Sequence, residues 1–199
     1  RYSALTAFGL VPSALAGVDV EALLDDAEAV VDVLAEGLER VAESIRAESP
    51  AVTVTTDVVD LSDRSATEAL GRRVATNHPD LNLVFNNAGV ALGGRLNDVD
   101  LADIDWLLEI NLLVPIRLTR ALLPLMLGNG EGQVVNTSSL FGLIGTPGQS
   151  AYSTSKFGLR GFSESLRSEL EAEGRPVGVS SSFIAGSPRL ADAQGVQLE

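Results

Sequence analysis

Four short runs constrain this chain most: "AVTVTT" at 51–56, "LNLVF" at 81–85, "QVVNTSS" at 133–139 and "VGVSSSF" at 177–183. Each is rich in β-branched or apolar residues, short, and followed by polar or turn-forming residues, which is the signature of a buried strand. Long stretches with helical periodicity separate them. From Asp19 to about Ala47, the residues Leu23, Leu24, Ala27, Val30, Val31, Leu34, Leu38, Val41 and Ile45 recur at steps of three and four, and Pro50 closes the pattern. Ser62 is the expected cap of a helix running toward His78 and Pro79, 101–127 reads as a long helix bent at Pro115, and 153–173 reads as another. Strands alternating with helices predict an α/β fold with a mostly parallel sheet covered by helices. In such sheets ligands gather at the carboxyl ends of the strands, where the polar stretches "NNAG" (86–89) and "NTSS" (136–139) fall.

Composition narrows the function. With 27 acidic against 14 basic residues in 199, the formal charge is -13, which repels polyanions and leaves no basic stripe for nucleic acid or an anionic membrane. The absence of cysteine removes thiolate chemistry and disulfides, and the single histidine, His78, founds no multi-histidine metal site. Asp25 and Asp26 read as a solvated helix face. No apolar run is read as membrane-spanning and no signal-peptide pattern is read at the start, so a cytoplasmic protein is expected. Trp106 is expected in a helix interface, and His78 at a helix end.

Tyr152 and Lys156 stand four residues apart at the start of a helix, so one face carries both a phenol and an ammonium. As a bare pair this is as compatible with an ordinary surface contact as with chemistry. An ammonium beside a tyrosine favours the phenolate and makes proton exchange with an alcohol feasible, and a hydroxyl from Ser139 would orient a carbonyl oxygen.

Taken together, "NNAG", "NTSS" and "YSTSK" (152–156), with "DLSD" at 60–63 and "NLLVP" at 111–115, resemble the short-chain dehydrogenase/reductase family over roughly residues 40–180. The resemblance implies a Rossmann-like three-layer sandwich and an NAD- or NADP-dependent interconversion of a small-molecule alcohol and its carbonyl. It makes Tyr152 the acid/base, Lys156 its electrostatic partner and a ribose ligand, Ser139 the substrate-orienting hydroxyl and Asn111 the fourth catalytic member. Asn87, Ala88 and Gly89 would shape the cofactor side of a strand end, and Asp60 and Leu61 would lie near adenine. Taken alone, Asn111 is a helix-kink residue, Asp60 a loop or cap residue, and Asn87 a strand-end turn residue. The family also implies homo-oligomer contacts through the helices around 101–127 and 152–173.

Two departures accompany the resemblance. A dinucleotide site of this class needs a strand, a glycine-rich turn and a helix N-terminus, whereas the chain offers Gly9 and Gly17 with "LVPSALA" between them. The sheet is therefore expected to be incomplete or rearranged in its N-terminal half, separating "AVTVTT" from "LNLVF", with weakened cofactor binding. Residues 1–30 instead resemble a glucose-6-phosphate isomerase segment, which implies a hybrid or chimeric opening. At the far end the stretch "SSFIAGSPRLADA" (181–193) lacks the family's usual proline-glycine turn. The expected organisation is one α/β domain over 1–199, with an atypical acidic helical segment at 1–48, the dehydrogenase-like region at 49–185 and a short tail at 186–199. A non-catalytic scaffold, interaction protein or chimera derived from the same fold is the alternative expectation.

Overall fold

The computed structural model describes residues 31–184. The opening 1–30, where an isomerase-like segment is expected, the first part of the helix expected from Asp19, and the expected tail at 186–199 lie outside those residues. Helix α1 (Val31–Glu48) is followed by an irregular stretch and α2 (Arg64–Asn77). Strand β1 (Leu83–Asn86) leads through a loop to α3 (Leu101–Leu108), a π-turn (Glu109–Leu113) and α4 (Val114–Asn129). Strand β2 (Gly132–Ser139), a 3₁₀ turn (Leu140–Gly142), α5 (Ser150–Ala172) and β3 (Val177–Ile184) complete the described chain.

The three strands form one parallel sheet in the order β1-β2-β3, with Leu83 opposite Gln133, Asn86 opposite Asn136, and Gly132 through Ser139 opposite Val177 through Ile184. Neighbouring parallel strands need a crossover helix, and crossovers of one hand in a sheet growing in one direction place successive helices on the same face. Accordingly α4 packs on β1 and β2, α5 on β2 and β3, and α3 with its π-turn meets α5. Two apolar clusters fill the space. One joins Leu61, Leu70, Ala88, Val90, Leu107, Ile110, Val114 and Leu118, with Trp106 partly buried against it, as expected. The other joins Val84, Leu122, Met126, Val134, Leu170, Val177 and Val179 between the sheet and the ends of α4 and α5. Burying each such side chain stabilises the fold by roughly 1.5–3 kcal/mol.

Several expectations are corrected. "AVTVTT" forms no strand: residues 51–56 are irregular and Val52 is half exposed. Its composition suits a strand, but a strand is a pairing, and β1 is the edge of the described sheet with no intervening strand to reach it. The vacancy is filled only in part. Leu38, Val41 and Ile45 of α1, the 54–59 stretch, Leu70 and Val74 of α2, and Leu81 and Leu83 line an apolar groove of about 300 Å³ beside that edge. The α2 cap is Asp63, not Ser62. The Asp60 carboxylate takes the Ser62 amide at 2.8 Å and its hydroxyl at 2.7 Å, so the Asp63 carboxylate receives the Ser65 and Ala66 amides instead, at 2.7 and 3.1 Å. The long helix deviates at its π-turn, while Pro115 sits in the first turn of α4, where a missing N–H costs least. His78 does close α2, its amide donating to the Val74 carbonyl at 2.9 Å.

Among the described residues one helical segment, Leu101–Asn129, is long and apolar enough by length and composition to cross a membrane. The sequence was not read that way, and its apolar residues Leu107, Ile110, Val114, Leu118, Leu122 and Met126 are buried in the two clusters.

Candidate active site

The carboxyl ends of β1 and β2 bring the polar stretches together. Within the sheet, Asn86 Nδ2 donates to Asn136 Oδ1 at 2.8 Å and to Thr119 Oγ1 at 3.1 Å, and Asn136 Nδ2 donates to Ser163 Oγ at 2.8 Å. This buried chain links β1, β2, α4 and α5, so the two strand ends and the helices above them are held in one register. One residue on, Thr137 Oγ1 donates to Asn87 Oδ1 at 2.8 Å and joins the loop after β1 to β2.

Asn111, in the π-turn, is fully buried. Its Oδ1 accepts the Val90 amide at 2.8 Å, and its Nδ2 donates to the Val90 carbonyl at 2.9 Å and to Ser155 Oγ at 3.2 Å. A π-turn carries an extra residue per turn and is common at functional sites, because it rotates a side chain out of the helical repeat. Here it lets one amide clamp the loop that contains Ala88 and Gly89. A Cβ at position 89 would lie 3.4 Å from Asn111 Oδ1 and 3.5 Å from Lys156 Nζ, so glycine keeps the backbone close to both. The Glu109 carboxylate and Arg117 guanidinium, both largely buried, form an ion pair across the same turn.

Tyr152 lies in the first turn of α5 and Lys156 one turn later. Lys156 is 3% exposed, its Nζ donates to the Thr137 carbonyl at 3.0 Å, and it lies 5.7 Å from the centroid of the Tyr152 ring. Burial pushes its ammonium down to about 8. The Tyr152 phenol is pushed up from its ordinary value by burial, against which a hydrogen bond with the Ser139 hydroxyl works. That order differs from the sequence expectation, in which the ammonium brings the phenol down: the ammonium is spent on the Thr137 carbonyl, and desolvation wins. Ser139 also accepts the Phe141 amide at 3.3 Å, and the Phe141 ring meets Tyr152 edge-on with centroids 6.0 Å apart.

The structure thus brings Asn111, Ser139, Tyr152 and Lys156 together with Gly89 at one end of the sheet. Ala88 is buried in the first apolar cluster, as is Leu61, which packs with Ala88 and Val90 rather than facing outward. Asp60 is engaged in its own turn with Ser62. Thr137, Val90, Ser155, Asn136 and Ser163 were missed as contributors. Thr137 and Asn136 lay inside the "NTSS" stretch, and Ser155 inside "YSTSK", but nothing in the sequence says which backbone groups their neighbours would hold. Among the described residues no group of acidic, histidine or cysteine side chains is arranged to bind a metal.

A tyrosine, a lysine, a serine and an asparagine thus converge at the carboxyl edge of a parallel α/β sheet, the place where such sheets bind ligands. The comparisons are specific: the family model "short chain dehydrogenase" matches residues 20–186, and the chain belongs to that family. The match reaches further toward the N-terminus than the quoted motifs do. SadH of Mycobacterium tuberculosis is 37% identical over 153 residues, covering 76% of this chain and 54% of SadH. An uncharacterized oxidoreductase of Escherichia coli, YbbO, is 38% identical over 137 residues, covering 69% of this chain and 48% of YbbO. The chain therefore spans about half the length of these relatives. A Burkholderia phymatum short-chain dehydrogenase/reductase solved in complex with NAD superposes with a TM-score of 0.72 at 30% identity, over 83% of this chain and 59% of that one. A metagenomic short-chain oxidoreductase in complex with NADP gives 0.67 at 34% identity, over 79% of this chain and 69% of that one.

Proposed function

We propose that this chain is an NAD(P)-dependent oxidoreductase that interconverts an alcohol and a carbonyl compound. The observation that carries the reading is the meeting of the Tyr152 phenol, the Ser139 hydroxyl and the buried Lys156 ammonium at the strand ends. The relatives solved with NAD or NADP support the cofactor. The residues present fit its nicotinamide-ribose half: a glycine at 89 brings the loop backbone close to Lys156 and Asn111, and the ammonium has donors beyond the one given to Thr137. Lys156, Tyr152 and the loop of Asn87, Ala88 and Gly89 would hold that half, with Asp60 and Leu61 on the adenine side. The bound dinucleotide supplies or accepts a hydride, two electrons with one proton.

Each side chain then has a task in the reductive direction. The Ser139 hydroxyl donates to the carbonyl oxygen and holds it beside Tyr152. As the carbonyl carbon gains its new C–H bond, negative charge gathers on that oxygen, and Tyr152 transfers its phenolic proton to it. The product is the alcohol, and the phenolate left behind is stabilised by Lys156 until a solvent proton restores it. Asn111 fixes the loop that the cofactor lies against. Tyr152 is protonated at neutral pH, as a donor must be, and the Ser139 hydroxyl works against the effect of burial that makes its proton harder to give. Self-association through the outward faces of the long helices fits the exposure of Leu113 and Phe157.

The test is calorimetric titration with NADH and NADPH, followed by carbonyl reduction with wild type and Tyr152→Phe. Saturable binding of one dinucleotide per chain and loss of turnover in the variant support the reading; unchanged turnover in the variant removes Tyr152 from its role. A second reading, a scaffold derived from this fold, draws on the β1 edge, unpaired among the described residues, and on the groove of about 300 Å³ beside it. A folded sample that binds neither dinucleotide at millimolar concentration selects it.

A further inference from the structure

The residues beside the reacting groups also describe what approaches them. Directly after Ser139 the chain turns through 140–142, and Gly142 is wedged so tightly that a Cβ there would lie 2.6 Å from Ser138 Oγ and 3.0 Å from the Lys156 carbonyl oxygen. The amides of Leu143 and Ile144 both donate to the Leu140 carbonyl, at 2.9 and 3.1 Å. This clamped turn leaves three large aliphatic side chains outside the core: Leu140, Leu143 and Ile144 are 50%, 44% and 48% exposed. They stand next to Phe141, whose ring contacts Tyr152. The loop after β1 is fastened to the approach to α5 by the Gly94 amide on the Gly148 carbonyl at 2.9 Å, and it carries Leu96, 66% exposed.

Charge is missing from the same region. Between Gly132 and Leu159 the one charged side chain is Lys156, in a chain where 21% of residues are charged. Lys156 is buried and committed to Thr137. On the loop after β1, 87–100, Arg95 stands with Asp98 and Asp100, so that loop offers no net positive charge. A carboxylated or phosphorylated substrate would find no dedicated cation beside Ser139 and Tyr152, whereas apolar surface is abundant there and costs free energy while wet.

We infer that the site takes an uncharged carbonyl compound or its secondary alcohol whose substituent is an extended apolar group laid over Leu140, Leu143, Ile144 and Leu96. This rests on the redox reading above. The polar carbonyl is held at Ser139 and Tyr152, and the apolar substituent covers the aliphatic rim, as binding sites commonly pair a few polar groups with apolar lining.

The experiment compares kcat/KM for 2-butanone, 2-hexanone and 2-octanone with that for 2-oxooctanoate, at saturating dinucleotide. An increase of about two- to fourfold per added methylene is expected from burial of the chain, with the carboxylated ketone at least tenfold poorer than 2-octanone. Leu143→Asp with Ile144→Asp should lower kcat/KM for 2-octanone about tenfold more than for 2-butanone. A flat chain-length series, or preference for the oxo acid, overturns the inference while leaving the redox reading intact. Calorimetric binding of octanamide and acetamide to the protein gives a readout without turnover. If no carbonyl is reduced, the redox reading fails by itself. Tighter binding of octanamide, lost in the double variant, then still supports the apolar rim, and equal binding of the two amides overturns it. A double variant that changes the oligomer mass in light scattering while octanamide binding stays the same assigns the rim to a second copy, and also overturns the inference.

Discussion

Lys156 Nζ donates to the Thr137 carbonyl at 3.0 Å, which fastens the second turn of α5 to the end of β2 and buries an ammonium in the process. The free-energy cost of that burial is visible as the fall of Lys156 to about 8. A lysine whose folded value lies below its unfolded one is disfavoured in its charged form by folding. The unfolded chain therefore binds more protons between about 8 and the ordinary lysine range near 10.5. Stability from this group is lowest below pH 8 and rises as pH climbs through that window. Lys156→Met should be more resistant to urea than wild type at pH 7, with the difference shrinking between pH 8 and 10.5. Urea midpoints measured across that range check it, and a difference independent of pH refutes it.

The clamp made by Asn111 yields a second prediction. Asn111→Leu keeps the branching at Cγ but leaves both the amide and the carbonyl of Val90 without their partner in a buried place, at a cost of about 1–3 kcal/mol for each unsatisfied group. Asn111→Asp still accepts from the Val90 amide but sets a carboxylate oxygen against the Val90 carbonyl. Both variants should lower the urea midpoint, the leucine by loss of three bonds and the aspartate by repulsion, and both should weaken NADH binding, because the loop carrying Gly89 is released. Loss of stability with dinucleotide affinity unchanged would separate the clamp from the cofactor side.

How much of this was open to the sequence depends on what each feature needs. Helices α2, α4 and α5 and strands β2 and β3 were legible because their apolar periods are local and their burial agrees with them. "AVTVTT" carried the same local signal and failed, since β-pairing is decided by a neighbour and β1 ends the described sheet. The choice between Ser62 and Asp63 as cap turned on Asp60, which claims Ser62 first; two adjacent oxygen-bearing residues look alike until a third is placed. Ser139, Tyr152 and Lys156 could be named from spacing, but the Thr137 carbonyl that absorbs the ammonium is a backbone group, which no residue type announces. The π-turn around Asn111 was invisible for a similar reason: "EINLL" has unremarkable helical composition, and the extra residue shows only in the hydrogen bonding.

The raised Tyr152 value makes the two directions of catalysis respond differently to pH. Reduction needs the phenol, which is present through neutral pH and lost only above the ordinary value of 10; oxidation needs the phenolate, which becomes more abundant as pH rises. Alcohol oxidation should climb from pH 7 toward pH 8, the range in which Lys156 keeps its charge, while carbonyl reduction stays flat over the same range. Tyr152→Phe should lower both by roughly 10²–10⁴. Initial rates in both directions, measured at saturating dinucleotide, check the pair, and parallel pH profiles would remove the phenol as the group that titrates.

Gly132 offers a test of how the sheet and helix α4 share space. It begins β2, and a Cβ there would lie 2.7 Å from Met126 Cβ and 2.9 Å from its sulfur, with Met126 fully buried. Gly132→Ala must therefore push α4 away from the sheet or force Met126 into another rotamer, which costs about 1–3 kcal/mol in a packed core. The nearest contact is to Met126 Cβ, which is fixed to the α4 backbone, so the flexible end of the side chain cannot absorb the clash alone. Met126→Ala in the Gly132→Ala background removes the sulfur contact but keeps that Cβ, and it also opens a cavity. The double variant should consequently be no more stable than Gly132→Ala. Recovery of the wild-type urea midpoint in the double variant would show that the sulfur, and not the helix backbone, set the approach of α4 to β2.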